Sequence, residues 1–252
     1  MDCKKEHILR LSTVDSTNRY IRDEAVALWS RYGESGYVVV VAEYQTAGRG
    51  QRGNSWLSNS CENLLFSILL RPGEALQVAE QFVLSQAVSL ALHDAMKKYG
   101  IETRLKWPND IYAGKRKLAG VLVELDCCGQ FVEQAIIGIG LNVNQTLFPQ
   151  MERIPVSMKM LSGSEHVVDD VLAAILEMFE HYYGELCKGN RDTIASEYSG
   201  LLLGLNEQHS FVDADGNFEA VIVGVENDGH LILKRNDGRL SHFAFKELEQ
   251  LL

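Results

Sequence analysis

Two short stretches carry residue types that can handle an anion. The first is Glu43-Tyr44-Gln45-Thr46-Ala47-Gly48-Arg49-Gly50-Gln51-Arg52-Gly53-Asn54-Ser55-Trp56, where three glycines alternate with two arginines. Glycines permit positive φ and close approach of backbone N–H groups to a ligand, and guanidinium forks suit a phosphate or carboxylate. A solvated surface hairpin would use the same residues. The second is Lys106-Trp107-Pro108-Asn109-Asp110. From Arg104 to Lys117 five bases (Arg104, Lys106, Lys115, Arg116, Lys117) face Asp110 alone, a local +4 in a chain of net charge −10. Lys115 and Arg116 read as a solvated hairpin tip. Lys106 is less easily dismissed, because apolar Leu105 and Trp107 flank it at a strand end.

Two further segments are ambiguous on their own. Asp15-Ser16-Thr17-Asn18 can cap a helix or aim hydroxyls at a ligand, and capping is the simpler reading. Gly138-Ile139-Gly140-Leu141-Asn142 alternates glycines within a strand, a sign of a closely approaching backbone or ligand, or of tight sheet packing. The glycine loop fits neither the dinucleotide fingerprint nor the P-loop pattern.

The elements that must position these residues are legible as patterns. Ile8–Leu11 is a short strand, and a helix follows to about Ser30 with Ile21, Ala25 and Leu28 on its buried face. Tyr37–Glu43 and Asn63–Leu70 are strands. Gln77–Tyr99 predicts one long helix, with Val78, Phe82, Leu84, Val88, Leu92, Ala95 and Tyr99 as its apolar stripe. Thr103–Trp107, Lys117–Leu125 and Phe131–Leu141 are strands, Cys127-Cys128 falls in a turn, and 147–163 is irregular. Asp169–Lys188 and Arg191–Leu202 are helices. From Gln208 onward short strands alternate with Asp-Gly turns at 215–216, 228–229 and 237–238, which predicts a small all-β barrel. The domain boundary falls near Gly204.

The chain has 252 residues and 46% hydrophobic content, enough for one sizeable domain plus a small one. No run approaches membrane-span length and the N-terminus is too polar for a signal peptide. Five cysteines without a C-x-x-C pair read as reduced thiols of a cytoplasmic protein, and the seven histidines lack metal-ligand spacing. The acidic balance argues against a nucleic-acid binder. The terminal module, with nine acids and four bases from Glu207, adds to that argument.

Taken in order, the chain resembles the biotin–protein ligases. The resemblance rests on Asp-Ser-Thr-Asn at 15–18, Tyr-Gln-Thr-Ala-Gly-Arg-Gly at 44–50, Lys-Trp-Pro-Asn-Asp at 106–110, Lys-Leu-Ala-Gly at 117–120, Gly-Ile-Gly-Leu-Asn at 138–142 and the terminal β module. It implies an α/β (α+β) fold: a mixed β-sheet backed by helices over residues 1–204, and an SH3-like barrel over 205–252. It implies joining of biotin to ATP as biotinyl-5′-adenylate, with Mg2+ accompanying ATP, then transfer to a lysine of a biotin carboxyl carrier domain. The implied biotin site comprises Ser16, Thr17, Asn18, Gln45, Arg49, Gly50, Gln51, Trp56, Lys106, Gly120, Gly138 and Gly140. The implied ATP or adenylate site comprises Gly48, Arg49, Arg52, Lys106, Asn109 and Asn142. Lys106 and Arg49 are the implied catalytic cations, and no resident metal is expected.

Two departures qualify the likeness. Many bacterial members carry a basic residue where Gln51 stands, so retention of the adenylate is expected to rely more on Arg49 and Arg52. Some members begin with a helix-turn-helix domain, whereas this chain begins at the ligase domain, so neither a repressor role nor a nucleic-acid or membrane partner is expected. A monomer or homodimer is expected. The competing readings are a lipoate or octanoate ligase of the same fold, which carries an Arg-Arg-x-x-Gly-Gly-Gly loop where this chain has Ala47-Gly48-Arg49-Gly50, and a non-catalytic biotin-binding protein.

Overall fold

The computed structural model describes residues 6–33, 36–150 and 153–251. One mixed sheet contains β1 (Glu6–Val14), β2 (Tyr37–Gln45), β3 (Leu64–Leu70), β4 (Gly73–Gln77), β5 (Arg104–Lys106), β6 (Asp110–Ala113), β7 (Arg116–Cys128) and β8 (Phe131–Leu141). Its order is β1-β2-β3-β8-β7-β6-β5, with β4 pairing β8. Only β1 and β2 run parallel; the other named pairs are antiparallel.

The period-two rule divides each strand between two faces. In β2, Tyr37, Val39 and Val41 enter the main core, while Val38 and Val40 enter a smaller cluster on the opposite face. Burial on both sides explains why this strand reads as a continuous apolar run. The main-core face is covered by α2 (Phe82–Lys98), α4 (Val168–Cys187) and α5 (Arg191–Gly200). The other face receives α1 (Thr17–Tyr32), through Ile21, Leu28 and Trp29. There β8 sends Ile137, Ile139 and Leu141 into the main core. Its Gly138 and Gly140, offset by one residue, therefore open on the α1 side. The same parity puts Ser67 of β3 and Gly120, Leu122 and Glu124 of β7 on that side. The register confirms the neighbourhood: Gly120 pairs with Gly140, and both Ser67 and Leu122 pair with Gly138.

Several expected boundaries are corrected. The helix predicted over Gln77–Tyr99 starts only at Phe82. Gly73 and Gln77 pair with β8, the Val78 N–H bonds Gln130 O at 3.0 Å, and a 3-10 turn over Val78–Glu80 precedes the helix. Cys127 and Cys128 end strand β7 instead of forming a turn, and the described cysteines form no disulfide. A short helix, α3 (Met158–Ser162), lies in the segment expected to be irregular, capped by Ser157 Oγ, which accepts from the Met160 N–H.

The remaining strands are β9 (Gln208–Asp213), β10 (Gly216–Val225), β11 (Leu231–Arg235), β12 (Leu240–Phe243) and β13 (Glu249–Gln250). They form an antiparallel sheet in the order β12-β11-β10-β9-β13, an open path among the described residues. Its apolar face, with Phe211, Ile222, Leu233 and Leu248, is continuous with the main core. Trp107 Nε1 donates to Gly229 O at 2.9 Å, which ties the turn before β11 to the turn after β5. Among the described residues no helix is long and apolar enough to cross a membrane.

Candidate functional site

A cleft opens on the α1 face of the sheet, over the two glycine-bearing strands. The start of α1 supplies Ser16, Thr17 and Asn18. The loop after β2 brings Gln45, Arg49, Gly50, Gln51 and Trp56. The β5–β6 turn contributes Lys106 and Asn109, and β7 and β8 provide Gly120, Gly138 and Gly140. These residues are scattered through the sequence and meet here.

Three predicted residues stand apart. Asn142 is buried outside the cleft lining, with its Nδ2 donating to Val156 O at 3.1 Å and its own carbonyl accepting from the Met158 N–H. Its place is to hold the chain that leads into α3. Gly48 lies behind Trp56, whose N–H bonds Gly48 O at 2.9 Å; a Cβ there would come 2.5 Å from Trp56 O. The side chain of Arg52 lies outside the described residues. Of the three loop glycines only Gly53 has positive φ, at +81°, so close approach, not left-handed backbone, is what Gly48 serves.

The α1 hydroxyls do not serve as caps. Ser16 occupies the N-cap position without a side-chain capping bond. The Thr17 N–H instead donates to Gln45 Oε1 at 2.7 Å, and Ser67 Oγ lies 2.6 Å from both Thr17 Oγ1 and Asn18 Oδ1. Asn18 Nδ2 donates to Glu124 Oε2 at 2.8 Å. This buried polar cluster fills the hollow over Gly138, where a Cβ would fall 2.2 Å from Asn18 Oδ1. Gly140 makes equivalent room for the Trp56 indole, 2.4 Å from the position of a Cβ. The alternating glycines thus admit the protein's own side chains, which in turn wall the cleft. Trp56 Nε1 is a buried donor with no acceptor among the described residues, turned toward Gly140.

Lys106 is 6% exposed and no hydrogen bond or ion pair holds its ammonium among the described residues. Burial first, and the nearby Arg153 second, lower its pKa from 10.5 to about 8, against the pull of Asp110 and Glu249. Asp110, its partner across the hairpin, is already bound by Lys117 Nζ at 2.7 Å and Arg153 Nη1 at 2.9 Å. A buried, unpaired cation costs stability unless an anion arrives to meet it. Lys117 and Arg153 line the same cleft, as do Leu231, Leu248, Glu249 and Gln250 from the terminal sheet. Sequence reasoning did not place these. Lys117 counted toward a basic stretch and opened the Lys-Leu-Ala-Gly motif but was given no site role, and the terminal residues lie more than a hundred positions from Lys106.

Glycine-opened strands, a buried lysine without a hydrogen bond or ion pair among the described residues, and three further cations, Arg49, Lys117 and Arg153, make this a candidate site for an anionic small molecule on a mixed α/β sheet. Residues 12–142 match the model described as the biotin/lipoate A/B protein ligase family, and the chain belongs to that family. It is 32% identical over 241 residues to the biotin–[acetyl-CoA-carboxylase] ligase of Paracoccus denitrificans, covering 91% of this chain and 95% of that one. It is 32% identical over 203 residues to the bifunctional ligase/repressor BirA of Bacillus subtilis, over 79% of this chain but spanning only 62% of the relative. A biotin protein ligase from Aquifex aeolicus, solved in complex with biotin and ATP, has a TM-score of 0.80 at 25% identity, covering 97% of this chain and 98% of that one.

Proposed function

We propose that this protein is a biotin–protein ligase that activates biotin with ATP and passes it to a lysine of a biotin carboxyl carrier domain. The observation that carries the reading is Lys106, a buried cation that lies over the Tyr112 ring and has no hydrogen bond or ion pair among the described residues, in a cleft that already gathers Arg49, Lys117 and Arg153. A carboxylate and a triphosphate repel one another, and cations fixed in a low-dielectric site offset that repulsion and stabilise charge gathering at the α-phosphate. In the first step a biotin carboxylate oxygen bonds the α-phosphorus and pyrophosphate leaves. In the second the carrier's ε-amine attacks the acyl carbon, an amide forms, a proton is lost and AMP departs. ATP enters as its magnesium complex, as substrate.

In this reading Ser16, Thr17, Asn18 and Gln45 frame biotin near Gly120, Gly138 and Gly140, with Trp56 as a wall. Lys106 and Arg49 meet the carboxylate and the phosphate, with Gly50, Gln51 and Asn109 beside them and Arg52 on the same loop. Lys117 joins this set from its place in the cleft. We read residues 1–204 as the ligase domain of a cytoplasmic protein and 205–252 as an SH3-like barrel that closes one wall. The direct test is pyrophosphate release from ATP with biotin, lipoate or octanoate offered separately. Biotin-dependent release is expected; release with lipoate alone would assign the other branch of the family.

An acyl-adenylate hydrolyses readily, so closure of the glycine loop has a purpose. The loop's own backbone bonds are few: the Gly50 N–H to Asn54 O at 2.7 Å, the Asn54 N–H to Gln51 O at 3.1 Å and the Trp56 N–H to Gly48 O at 2.9 Å. Ordering each residue costs about 1–2 kcal/mol, so an anion that engages Arg49 should hold the loop down. Trypsin cleavage after Arg49 is expected to be fast in the free protein and suppressed by biotin plus ATP. Equal protection in both states would mean that the loop is preorganised.

A further inference from the structure

We propose that Glu124 is a positioning residue for the ligand site: it holds Arg49 of the loop and Asn18 of α1 on one carboxylate, and it acts on ligand binding through Arg49. The inference rests on the ligase reading above. Glu124 is not among the residues lining the cleft, so it does not touch a ligand there itself. It is set behind the lining, on the α1 face of β7, paired across the sheet with Ile136. Its side chain is 18% exposed, and three groups converge on it. Arg49 approaches with Nη1 at 3.4 Å from Oε2 and Nη2 at 3.2 Å from Oε1. Asn18 Nδ2 donates to Oε2 at 2.8 Å. Arg22 lies 3.6 Å from Oε1, and its other terminal nitrogen turns to Asp126 at 3.3 Å.

The geometry of Arg49 gives this arrangement its function. A guanidinium has five N–H donors in a rigid fork, and a carboxylate that engages two nitrogens fixes the plane of the rest. Arg49 is half-exposed and comes from a loop with few internal bonds, so without Glu124 little would set its direction. With Glu124 in place, the remaining donors are fixed before the ligand arrives, and less ordering entropy is lost on binding. The same carboxylate fixes Asn18, whose other amide atom faces Ser67. One half-buried acid thus couples the position of the loop wall to that of the α1 wall.

Glu124→Gln separates the two contacts. The amide keeps an oxygen for Asn18 but offers an NH2 where Arg49 Nη2 now meets a carboxylate oxygen. A hydrogen bond to a charged group is stronger than a neutral one but is screened at this partly exposed pair, so the expected effect is about a tenfold rise in KM for biotin with kcat changed by less than about threefold. In the ligand-free protein, trypsin should cleave after Arg49 several times faster. That readout needs no activity, so it stands even if the substrate proves to be other than biotin. In an Arg49→Ala background, Glu124→Gln should add no further rise in KM, because residues that act through one another are non-additive. Glu124→Asp, which keeps the charge but withdraws it, should move the same readouts in the same direction by less, and serves if the Gln variant folds poorly. Additive effects in the double variant, or unchanged cleavage after Arg49 in both single variants, would overturn the assignment and leave Glu124 a support for Asn18 alone.

Discussion

Lys106→Met should remove nearly all biotin-dependent pyrophosphate release and still yield a more stable protein. The first half follows from the site. Removing one preorganised electrostatic contact to a transition state costs about 3–4 kcal/mol, or about 10²–10³ in kcat. The second half follows from burial. A fall in pKa from 10.5 to about 8 measures how much the folded protein disfavours the charged lysine, roughly 3 kcal/mol at about 1.4 kcal/mol per pKa unit. Methionine keeps an unbranched chain of similar length without the charge, so a gain of about 1–3 kcal/mol is expected at neutral pH. Asp110 does not lose its counter-ions, because Lys117 and Arg153 remain on it.

The pH dependence follows with its sign. The folded pKa lies below the unfolded one. Below about 8 both states carry the proton and the burial cost is fully present; between about 8 and 10.5 the unfolded chain binds more protons than the folded one. Stability of the parent therefore rises with pH through that window, and the advantage of Lys106→Met shrinks to nothing above it. Activity moves the other way: kcat/KM of the parent should fall as pH climbs through about 8, where the free enzyme loses the Lys106 charge. Urea midpoints and initial rates across pH 6–10 check both, on the scale of about 1–3 kcal/mol set above. A folded variant with parental rates would take Lys106 out of the chemistry.

Lys106 was visible in the sequence because a lone charge between Leu105 and Trp107 contradicts its surroundings, and contradictions of that kind mark function. Its neighbours were not visible for a physical reason. Lys117 aligns with Asp110 only through the β6–β7 register and the bulge between Ile111 and Tyr112, and register is not a local property. Glu249 and Gln250 reach the cleft on a short strand of the other sheet, with Leu248 just before it, a placement that only docking of the two sheets decides. The strands of the main sheet were legible because alternation and apolar runs are written locally. The start of α2 was not, since the period from Val78 continues into a segment whose backbone is committed to β8. Ser16 and Thr17 misled in the same way. Their composition is that of a cap, and only the facing Gln45 and Ser67 turn them toward the cleft.

The glycines of β8 announced a close approach without saying of what, and Gly140→Ala turns that into an expected result. A Cβ at 140 would sit 2.4, 2.7 and 2.8 Å from three atoms of the Trp56 indole. Across the strand pair the ring already meets Lys117, whose Nζ lies 5.5 Å from its centroid. On that side lies Gly120, whose own Cβ position is already 3.2 Å from the indole, 3.3 Å from Lys117 Nζ and 3.4 Å from Asp110 Oδ1. The backbone of β8 cannot retreat either, because β3 and β7 pair with it on both edges. The indole must therefore swing into the cleft or lift away with its loop, whose base it closes through the Trp56 N–H to Gly48 O bond. Overpacking of this kind costs about 1–3 kcal/mol of stability. The larger effect is on function, because either movement destroys the wall that Trp56 forms: a loss of about 10²-fold or more in kcat/KM is expected, the scale of a misplacement of about 1 Å in an active site. Gly120→Ala, with only tight contacts to meet, should lose far less. The cause can be isolated by combining Gly140→Ala with Trp56→Ala. The stability loss should then be smaller than the sum of the two, because the alanine methyl occupies space the indole has vacated, while activity should not return. Full additivity in stability would mean that the indole does not rest on Gly140, and the floor of the cleft would have to be drawn differently.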